Sequence, residues 1–140
     1  MFISISKKKG GKTKVRQQSG VVPYKVRGDG KIFVLMITTV NQKDWGFPKG
    51  GIEPNMTPEA SALKEAREEA GIKGRIVKRL GNYKYKKSGE PQKVRMFSME
   101  VTGDSKKWDE KKWRTRDWFP VKKAYKYINK EQRRFLKYLM

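Results

Sequence analysis

The chain has 140 residues, of which 35 are Lys or Arg and 14 are Asp or Glu, giving a formal net charge of +21. This length predicts one domain with a single hydrophobic core. The sequence contains no Cys and no His, which excludes disulfides, thiolate chemistry, and histidine bases or metal ligands. Acid–base or metal chemistry must therefore rest on carboxylates, whose oxygen atoms suit Mg²⁺, Mn²⁺ or Ca²⁺ better than zinc.

The first residues are more basic than the rest of the chain. Six of the first eighteen are Lys or Arg and none is acidic, and Gly10 and Gly11 lie among them. We therefore predict a flexible basic arm over residues 1–15 and one domain over residues 16–140. The apolar segment at the N-terminus is too short for a signal peptide, and no apolar stretch approaches the roughly 18 residues of a membrane helix. We expect no membrane span and a cytoplasmic protein.

Strand patterns occupy the first part of the domain. Residues 21–27 and 31–39 are predicted to form two strands joined by a turn at residues 28–30. The second strand contains a nearly unbroken apolar run from Ile32 to Ile37, which predicts burial on both faces. A short strand is predicted at residues 45–47, just before a glycine-rich loop at residues 48–51.

A capped helix follows this loop. Thr57 is placed to accept hydrogen bonds from free amides, Pro58 suits the first helical position, and Gly71 suits the end of the helix. Between them lies an apolar stripe at helical spacing, formed by Ala62, Ala66 and Ala70. Small side chains on this stripe predict a helix that lies close against a sheet.

The remaining elements complete a mixed α/β pattern. Residues 75–85 and 94–101 are predicted to form a strand pair with a loop over residues 86–91, and residues 116–119 form a last strand. Apolar spacing from Val121 to Ile128 predicts a helix, and residues 135–139 suggest a further turn or two. We therefore expect a mixed sheet between helices.

The predicted helix also carries the densest acidic cluster of the chain. Glu65, Glu68 and Glu69 stand at positions i, i+3 and i+4, so a helix places all three carboxylates on one face. A solvated helix face is the ordinary explanation of such a cluster. The glycine-rich loop ahead of the helix, where backbone can approach a ligand closely, favours a divalent metal site that acts on a polyanion.

Together, the loop and the helix resemble the Nudix box, G-x5-E-x7-R-E-U-x-E-E-x-G-U, in which U is a bulky aliphatic residue. The matching positions are Gly50, Glu65, Glu68, Glu69, Gly71 and Ile72, with Ala66 as a weak match for U. Two positions depart from the pattern: Met56 replaces the first Glu, and Lys64 replaces the Arg. Because those two residues commonly pair in the family, we interpret the joint change as altered scaffolding around retained metal ligands.

The resemblance extends over roughly residues 16–128. The segments at residues 19–24, 45–50, 52–54 and 114–119 are similar to the subgroup that includes diphosphoinositol polyphosphate phosphohydrolases. The resemblance implies an α/β/α sandwich with a mixed sheet between helices. It also implies a Mg²⁺-dependent hydrolase, with Mn²⁺ as an alternative metal, that cleaves a diphosphate linkage in a polyphosphorylated small molecule.

The resemblance further implies a set of site residues. Glu65, Glu68 and Glu69 would be metal ligands and catalytic residues, one of them also a general base, and the Gly50 carbonyl would add an oxygen ligand. Families of this kind often use another carboxylate from far along the chain. Glu110 is the candidate for that role, followed by Asp109, although an ordinary loop carboxylate is an equally good interpretation of Glu110.

Basic residues near the expected site are candidates for substrate phosphate contacts. By family position these are Arg16, Lys49, Lys84, Arg95, Arg114 and Arg116. Most of the 35 basic side chains must be ordinary surface residues. Among the tryptophans, Trp45 and Trp118 are assigned to packing, whereas Trp108 and Trp113 lie in a basic stretch and are candidates for a ligand contact.

Three functional interpretations remain open. The first is a hydrolase of diphosphoinositol polyphosphates, dinucleoside polyphosphates or nucleoside diphosphate derivatives. The second is an RNA 5′-end pyrophosphohydrolase, in which the basic N-terminal arm and the basic C-terminal region contact the RNA backbone. The third is a non-catalytic relative that binds nucleic acid or polyphosphate, which the retained carboxylates argue against. The sequence leaves monomer and dimer both open.

Overall fold

The computed structural model describes residues 14–140. The predicted basic arm therefore lies, apart from Lys14 and Val15, outside the described residues. The strands are β1 (Arg16–Val26), β2 (Ile32–Thr38), β3 (Trp45–Gly46), β4 (Lys49–Gly51), β5 (Ile72–Lys87), β6 (Glu90–Asp104) and β7 (Arg116–Pro120). The helices are α1 (Pro58–Ala70), α2 (Val121–Tyr127) and α3 (Lys130–Arg133), followed by a 3₁₀ helix at Arg134–Leu139. In the described part of the chain, no helix is long and apolar enough to cross a membrane.

The seven strands form one mixed sheet. Five of them follow the order β3-β2-β1-β6-β5, while β4 also pairs with β1 and β7 pairs with β2. Strand β1 is parallel to β6, and the other neighbouring strands are antiparallel. Two strands, β4 and β2, pair with the same edge of β1. Its first half pairs with β4 through Gln18–Gly20, and its second half pairs with β2 through Tyr24–Val26. The sheet therefore divides beside the middle of β1.

Helices cover both faces of this sheet. Helix α1 lies on one face, where Ala62, Ala66 and Ala70 are fully buried in a core cluster with strand residues such as Val21. The C-terminal helices cover the other face, where Phe135 belongs to a second core cluster. The predicted α/β/α sandwich with a mixed sheet between helices is confirmed. Within the apolar run of β2, residues 34–37 are buried as predicted, whereas Ile32 and Phe33 are only partly buried.

The structure corrects the prediction of a loop over residues 86–91. Strands β5 and β6 continue through this segment, and only Ser88 and Gly89 lie between them. Both residues have positive φ angles, 49° and 82°, and two such residues make a tight hairpin turn that matches the twist of the flanking strands. Polar composition suggested a loop, whereas the turn geometry allows the strands to continue to its edge.

The predicted limits of helix α1 are confirmed. The Thr57 hydroxyl accepts a hydrogen bond from the Ala60 N–H at 3.0 Å, and Pro58 begins the helix. At the other end, Gly71 adopts the left-handed conformation with φ 67°. A Cβ atom on Gly71 would also lie 2.9 Å from the Cβ of Trp108. Glycine is therefore required here by backbone conformation and by space.

Replacing Gly71 by Ala should destabilise the fold by at least about 1–2 kcal/mol, the cost of a left-handed L-residue, with the contact to Trp108 adding to it. Chemical denaturation would measure the loss. Gly28→Ala is the matched control, because Gly28 has no neighbouring atom within 4 Å of an added Cβ. Equal stability of the two variants would contradict this account of the helix end.

Candidate active site

A cleft of about 610 Å³ opens where β2 and β4 separate along the edge of β1. The end of β2, the segment through β3 and β4, and parts of helices α1 and α3 contribute to its walls. Its charged lining residues are Arg16, Lys49, Glu69, Lys87 and Arg114. Four basic side chains and one acidic side chain therefore share a single cleft.

Helix α1 approaches the backbone of β4 very closely at this cleft. A Cβ atom on Gly50 would overlap the carboxyl group of Glu65. The absence of a side chain on Gly50 thus lets the first carboxylate of the acidic cluster rest against the strand. The Glu65 carboxyl group therefore lies directly beside the backbone of Gly50.

Glu69 lies one turn further along the same helix and is 7% exposed. The Lys49 backbone N–H donates a hydrogen bond to Glu69 Oε1 at 3.2 Å, and Arg114 lies 3.7 Å from Oε2. Burial raises the pKa of Glu69 to about 8; Arg114 opposes this rise and the Glu65 carboxylate adds to it. Burial also raises the pKa of Glu65, which hydrogen-bonds to Glu69. Each of the two carboxyl groups therefore affects the pKa of the other.

Glu68 is held differently, by a lysine. Lys64 Nζ lies 2.7 Å from Glu68 Oε2 and also 2.7 Å from Glu53 Oε2. Lys64 stands at the position of the family arginine, and Glu53 supplies an acid three residues before Met56, where the family glutamate is expected. Lys64 therefore forms ion pairs with both Glu53 of the preceding loop and Glu68 of the helix, in place of the Glu–Arg pair that is common in the family.

Glu110 lies beside the acidic cluster although it is distant from it in the sequence. Its backbone N–H donates to the Glu68 carbonyl at 3.1 Å, and its Oε1 accepts a hydrogen bond from Arg114 Nε at 2.6 Å. Arg114 also donates to the Thr38 carbonyl at 2.9 Å. Glu110 thus belongs to the site region, as the resemblance implies, whereas the neighbouring Asp109 is exposed.

The donor set fits Mg²⁺, because carboxylates and a backbone carbonyl provide only oxygen atoms. Among residues 14–140, no three acidic side chains converge as a preassembled cage. Lys64 and Arg114 hold Glu68, Glu69 and Glu110 in ion pairs. Burial is the main reason why the pKa values of Glu65 and Glu69 are raised, and neighbouring carboxylates add to the rise.

The basic candidates divide into two groups. Arg16, Lys49 and Arg114 line the cleft, whereas Lys84, Arg95 and Arg116 do not. Arg116 instead ends helix α1: its guanidinium donates to the Ala70 carbonyl at 2.7 Å and to the Ser105 carbonyl at 2.7 Å.

The tryptophans pack as follows. Trp108 is a candidate for ligand contact. The Arg116 guanidinium lies 3.9 Å from the centre of the Trp108 ring, and Trp108 also packs against Gly71. Trp113 is 52% exposed. Trp45 packs edge-on against Phe119, with ring centres 5.0 Å apart, and Trp118 packs against the core cluster beneath helix α1. The packing predicted for Trp45 and Trp118 is confirmed.

Sequence reasoning missed several polar residues of the cleft. Lys87 lines it from the end of β5, and Gln18 lines it from β1. Tyr85 accepts a hydrogen bond from Lys49 Nζ at 2.7 Å. Gln132, which is 2% exposed, accepts a hydrogen bond from the Phe47 N–H at 2.8 Å and donates to the Tyr83 hydroxyl. No local motif marks these residues, since strand pairing and the docking of α3 bring them together.

The fold and this site can now be compared with known proteins. A model of the NUDIX domain family matches residues 16–139. "Nudix hydrolase 12, mitochondrial" of Arabidopsis thaliana is 34% identical over 149 residues, covering 87% of this chain and 73% of the relative. "Diphosphoinositol polyphosphate phosphohydrolase 3-beta" of Bos taurus is 32% identical over 98 residues, covering 68% of this chain and 59% of the relative.

Solved structures share the fold. A binary complex of the C. elegans Ap4A hydrolase superposes with a TM-score of 0.74 at 22% identity, covering 89% of this chain and 95% of that one. A MutT NUDIX hydrolase from Burkholderia pseudomallei gives a TM-score of 0.71 at 19% identity, covering 91% of this chain and 99% of that one. The chain belongs to the Nudix family, and the predicted pyrophosphohydrolase is confirmed.

Glu53→Gln should lower the affinity for Mg²⁺ by about tenfold, the lower end of the effect of removing a partner of a metal ligand. Without Glu53, Lys64 would neutralise Glu68 more fully and compete with the metal. Titration calorimetry would measure the affinity. Adding Met56→Glu to the variant should restore it by returning an acid to the family position. The control is Glu59→Gln, which removes an exposed acid and should leave the Mg²⁺ affinity unchanged. An unchanged affinity in Glu53→Gln would contradict the role of the Glu53–Lys64–Glu68 ion pairs.

Glu69 should make metal-free stability depend on pH. Its folded pKa of about 8 lies above its ordinary value of 4.5, so the neutral form is favoured by folding. Its stabilisation is therefore complete below pH 4.5 and is lost as the pH rises through 8. Denaturation in EDTA at a series of pH values should give a flatter curve for Glu69→Gln than for wild type. Parallel curves would contradict the buried carboxyl pair.

Proposed function

We propose that the protein is a Mg²⁺-dependent hydrolase that cleaves a diphosphate linkage in a highly anionic small molecule. The observation that carries this proposal is the placement of the acidic cluster at one end of a strongly basic cleft. Glu65 and Glu69 meet the β4 backbone there, while Arg16, Lys49 and Lys87 line the same cavity. Such an arrangement suits a ligand that is rich in phosphates and reacts beside carboxylates.

Glu65, Glu68 and Glu69 would hold the metal, together with the Gly50 carbonyl. Mg²⁺ bound there would neutralise charge on the phosphate oxygens and lower the pKa of a bound water; Mn²⁺ could do the same. The basic residues of the cleft would orient the substrate by charge-assisted hydrogen bonds to phosphate. One of these glutamates would also act as general base, and Glu110 lies next to Glu69 through Arg114.

Arg114 connects the two parts of the site. Its side chain is 16% exposed and is fixed by Glu110 and by the Thr38 carbonyl. Because Arg114 and its anchor Thr38 both line the cleft, the guanidinium would present positive charge to a bound phosphate without a large rearrangement. It also neutralises Glu69, which limits how strongly the carboxyl cluster repels an anionic substrate.

The substrate classes proposed are diphosphoinositol polyphosphates, dinucleoside polyphosphates and nucleoside diphosphate derivatives. The Bos taurus relative is named for diphosphoinositol polyphosphates, and the C. elegans structure is named for Ap4A, a dinucleoside polyphosphate. The four cations of the cleft support a substrate with several phosphates over one with a single diphosphate. We keep the cytoplasm as the proposed location, although several plant relatives are named as mitochondrial.

Glu69→Gln should reduce Mg²⁺-dependent phosphate release by at least about 10²-fold, the usual contribution of a positioned proton acceptor. The assay would compare a diphosphoinositol polyphosphate, a dinucleoside polyphosphate, a nucleoside diphosphate sugar, a nucleoside triphosphate and a 5′-triphosphorylated RNA. The preferred substrate should be the compound whose KM rises most with salt, since contacts to more phosphates are screened together.

The control for this experiment is Glu59→Gln, which removes an exposed acid from the first turn of the same helix. Its turnover should match wild type. Retained turnover in Glu69→Gln would overturn the assignment of the site. Tight binding without turnover of any compound, unchanged in the variant, would favour the non-catalytic interpretation instead.

A further inference from the structure

The hairpin of β5 and β6 contains an unfavourable charge pair. Charged residues stand directly opposite each other at three positions of its ladder: Arg75–Glu100, Lys84–Lys93 and Lys87–Glu90. The first and the last combine opposite charges, and Arg75 and Glu100 form an ion pair at 2.7 Å. Lys84 and Lys93 combine like charges, which destabilises an antiparallel pair. Two of the three charged pairs in this ladder thus combine opposite charges, and the third combines like charges.

Further basic side chains surround this pair. Tyr83 and Tyr85 point to the face of the sheet that the C-terminal helices cover, so Lys84 and Lys86 lie on the opposite face. Lys93 stands opposite Lys84, and Arg95 follows two residues later on the same face. We call Lys84, Lys86, Lys93 and Arg95 the basic hairpin face.

The neighbouring strand offers this face no acidic partner. Lys93 pairs across β1 with Gln17, and Arg95 pairs with Ser19. Across β5, Arg95 faces Asn82 and Lys86 faces Pro91. Four cations therefore lie on adjacent positions of one sheet surface whose register partners carry no negative charge. An external anion is the partner that would offset their repulsion.

The chemistry of the hairpin favours a nucleic acid as this anion. Among the described residues, Val77 is the only exposed large hydrophobic side chain of the β5–β6 hairpin, and it lies outside the basic hairpin face. That face therefore has no apolar anchor for a membrane or a protein. The tip also carries Lys87 on its other face, inside the cleft beside Arg16. Cations on both sides of the tip suit a flexible, extended polyanion better than a compact one.

We propose that the basic hairpin face binds the phosphate backbone of single-stranded nucleic acid. This surface goes beyond the proposed function, because it lies outside the cleft and needs no diphosphate in its ligand. It differs from the sequence-based hypothesis, which placed RNA contacts on the N-terminal arm and the C-terminal region. The like-charge pair is retained because the nucleic acid, rather than a protein carboxylate, neutralises it.

The test is the salt dependence of binding to oligouridylate with a 5′-hydroxyl end, which offers no bond for the proposed hydrolase. Each phosphate contact contributes about 0.7 to the slope of log affinity against log salt concentration for a single strand. The double variant Lys86→Gln and Lys93→Gln should therefore reduce the slope by about 1.4. Hydrolysis of the preferred small substrate should remain at the wild-type rate.

The matched control is Lys122→Gln with Lys123→Gln, which removes the same charge from exposed positions of helix α2. Its slope should equal that of wild type. Equal loss in both double variants would overturn the proposal, since binding would then follow total charge. Loss of binding to vesicles containing phosphatidylserine, with the RNA slope unchanged, would also overturn it and assign the surface to membranes.

A single charge reversal gives an independent readout. Lys93→Glu places an acid opposite Lys84 and repairs the ladder, so the melting temperature should rise while RNA binding falls. A merely structural role of Lys93 would move both quantities in the same direction. A rise in melting temperature with unchanged RNA binding would overturn the proposal.

Discussion

The close approach of helix α1 to the β4 backbone is the contact on which the site depends. Gly50 leaves room for the Glu65 carboxyl group, and the fully buried Ala62 and Ala66 let the helix lie near the sheet. Small residues on both sides thus fix the carboxylates by backbone position rather than by flexible side chains. A larger side chain at any of these points would move the acidic cluster away from the cleft.

Gathering acids in a buried pocket has an electrostatic cost, which the chain meets in two ways. Lys64 and Arg114 neutralise part of the charge through ion pairs. Burial raises the pKa of Glu65 and of Glu69, so the metal-free site holds fewer charges than its composition suggests. A metal bound there would compete with protons and with basic side chains. Its affinity would be set by these internal cations as much as by the ligands.

Local sequence signals predicted the local structure well. Thr57, Pro58 and Gly71 define helix α1 because caps act through neighbouring backbone groups. The spacing of the glutamates also located the acidic cluster. Contacts between distant segments were not visible in the same way. Glu53 takes the place of the missing acid at position 56 only because the loop folds over the helix and brings Glu53 to Lys64. Arg116 reaches the last carbonyls of α1 only because β7 begins beside the end of that helix.

The distribution of positive charge shows why composition alone could not identify phosphate contacts. A net charge of +21 attracts any polyanion, but salt screens this attraction beyond about 8–10 Å under physiological conditions. The general excess therefore acts mainly on the rate of encounter. Binding of a small substrate depends on the few cations that share a cavity with it, where water and salt screen less. Lys49 illustrates the difference, because its ammonium group is oriented by Tyr85 and its backbone by Glu69. A lysine on the outer surface has the same charge but neither restraint, and its contribution to affinity is correspondingly smaller.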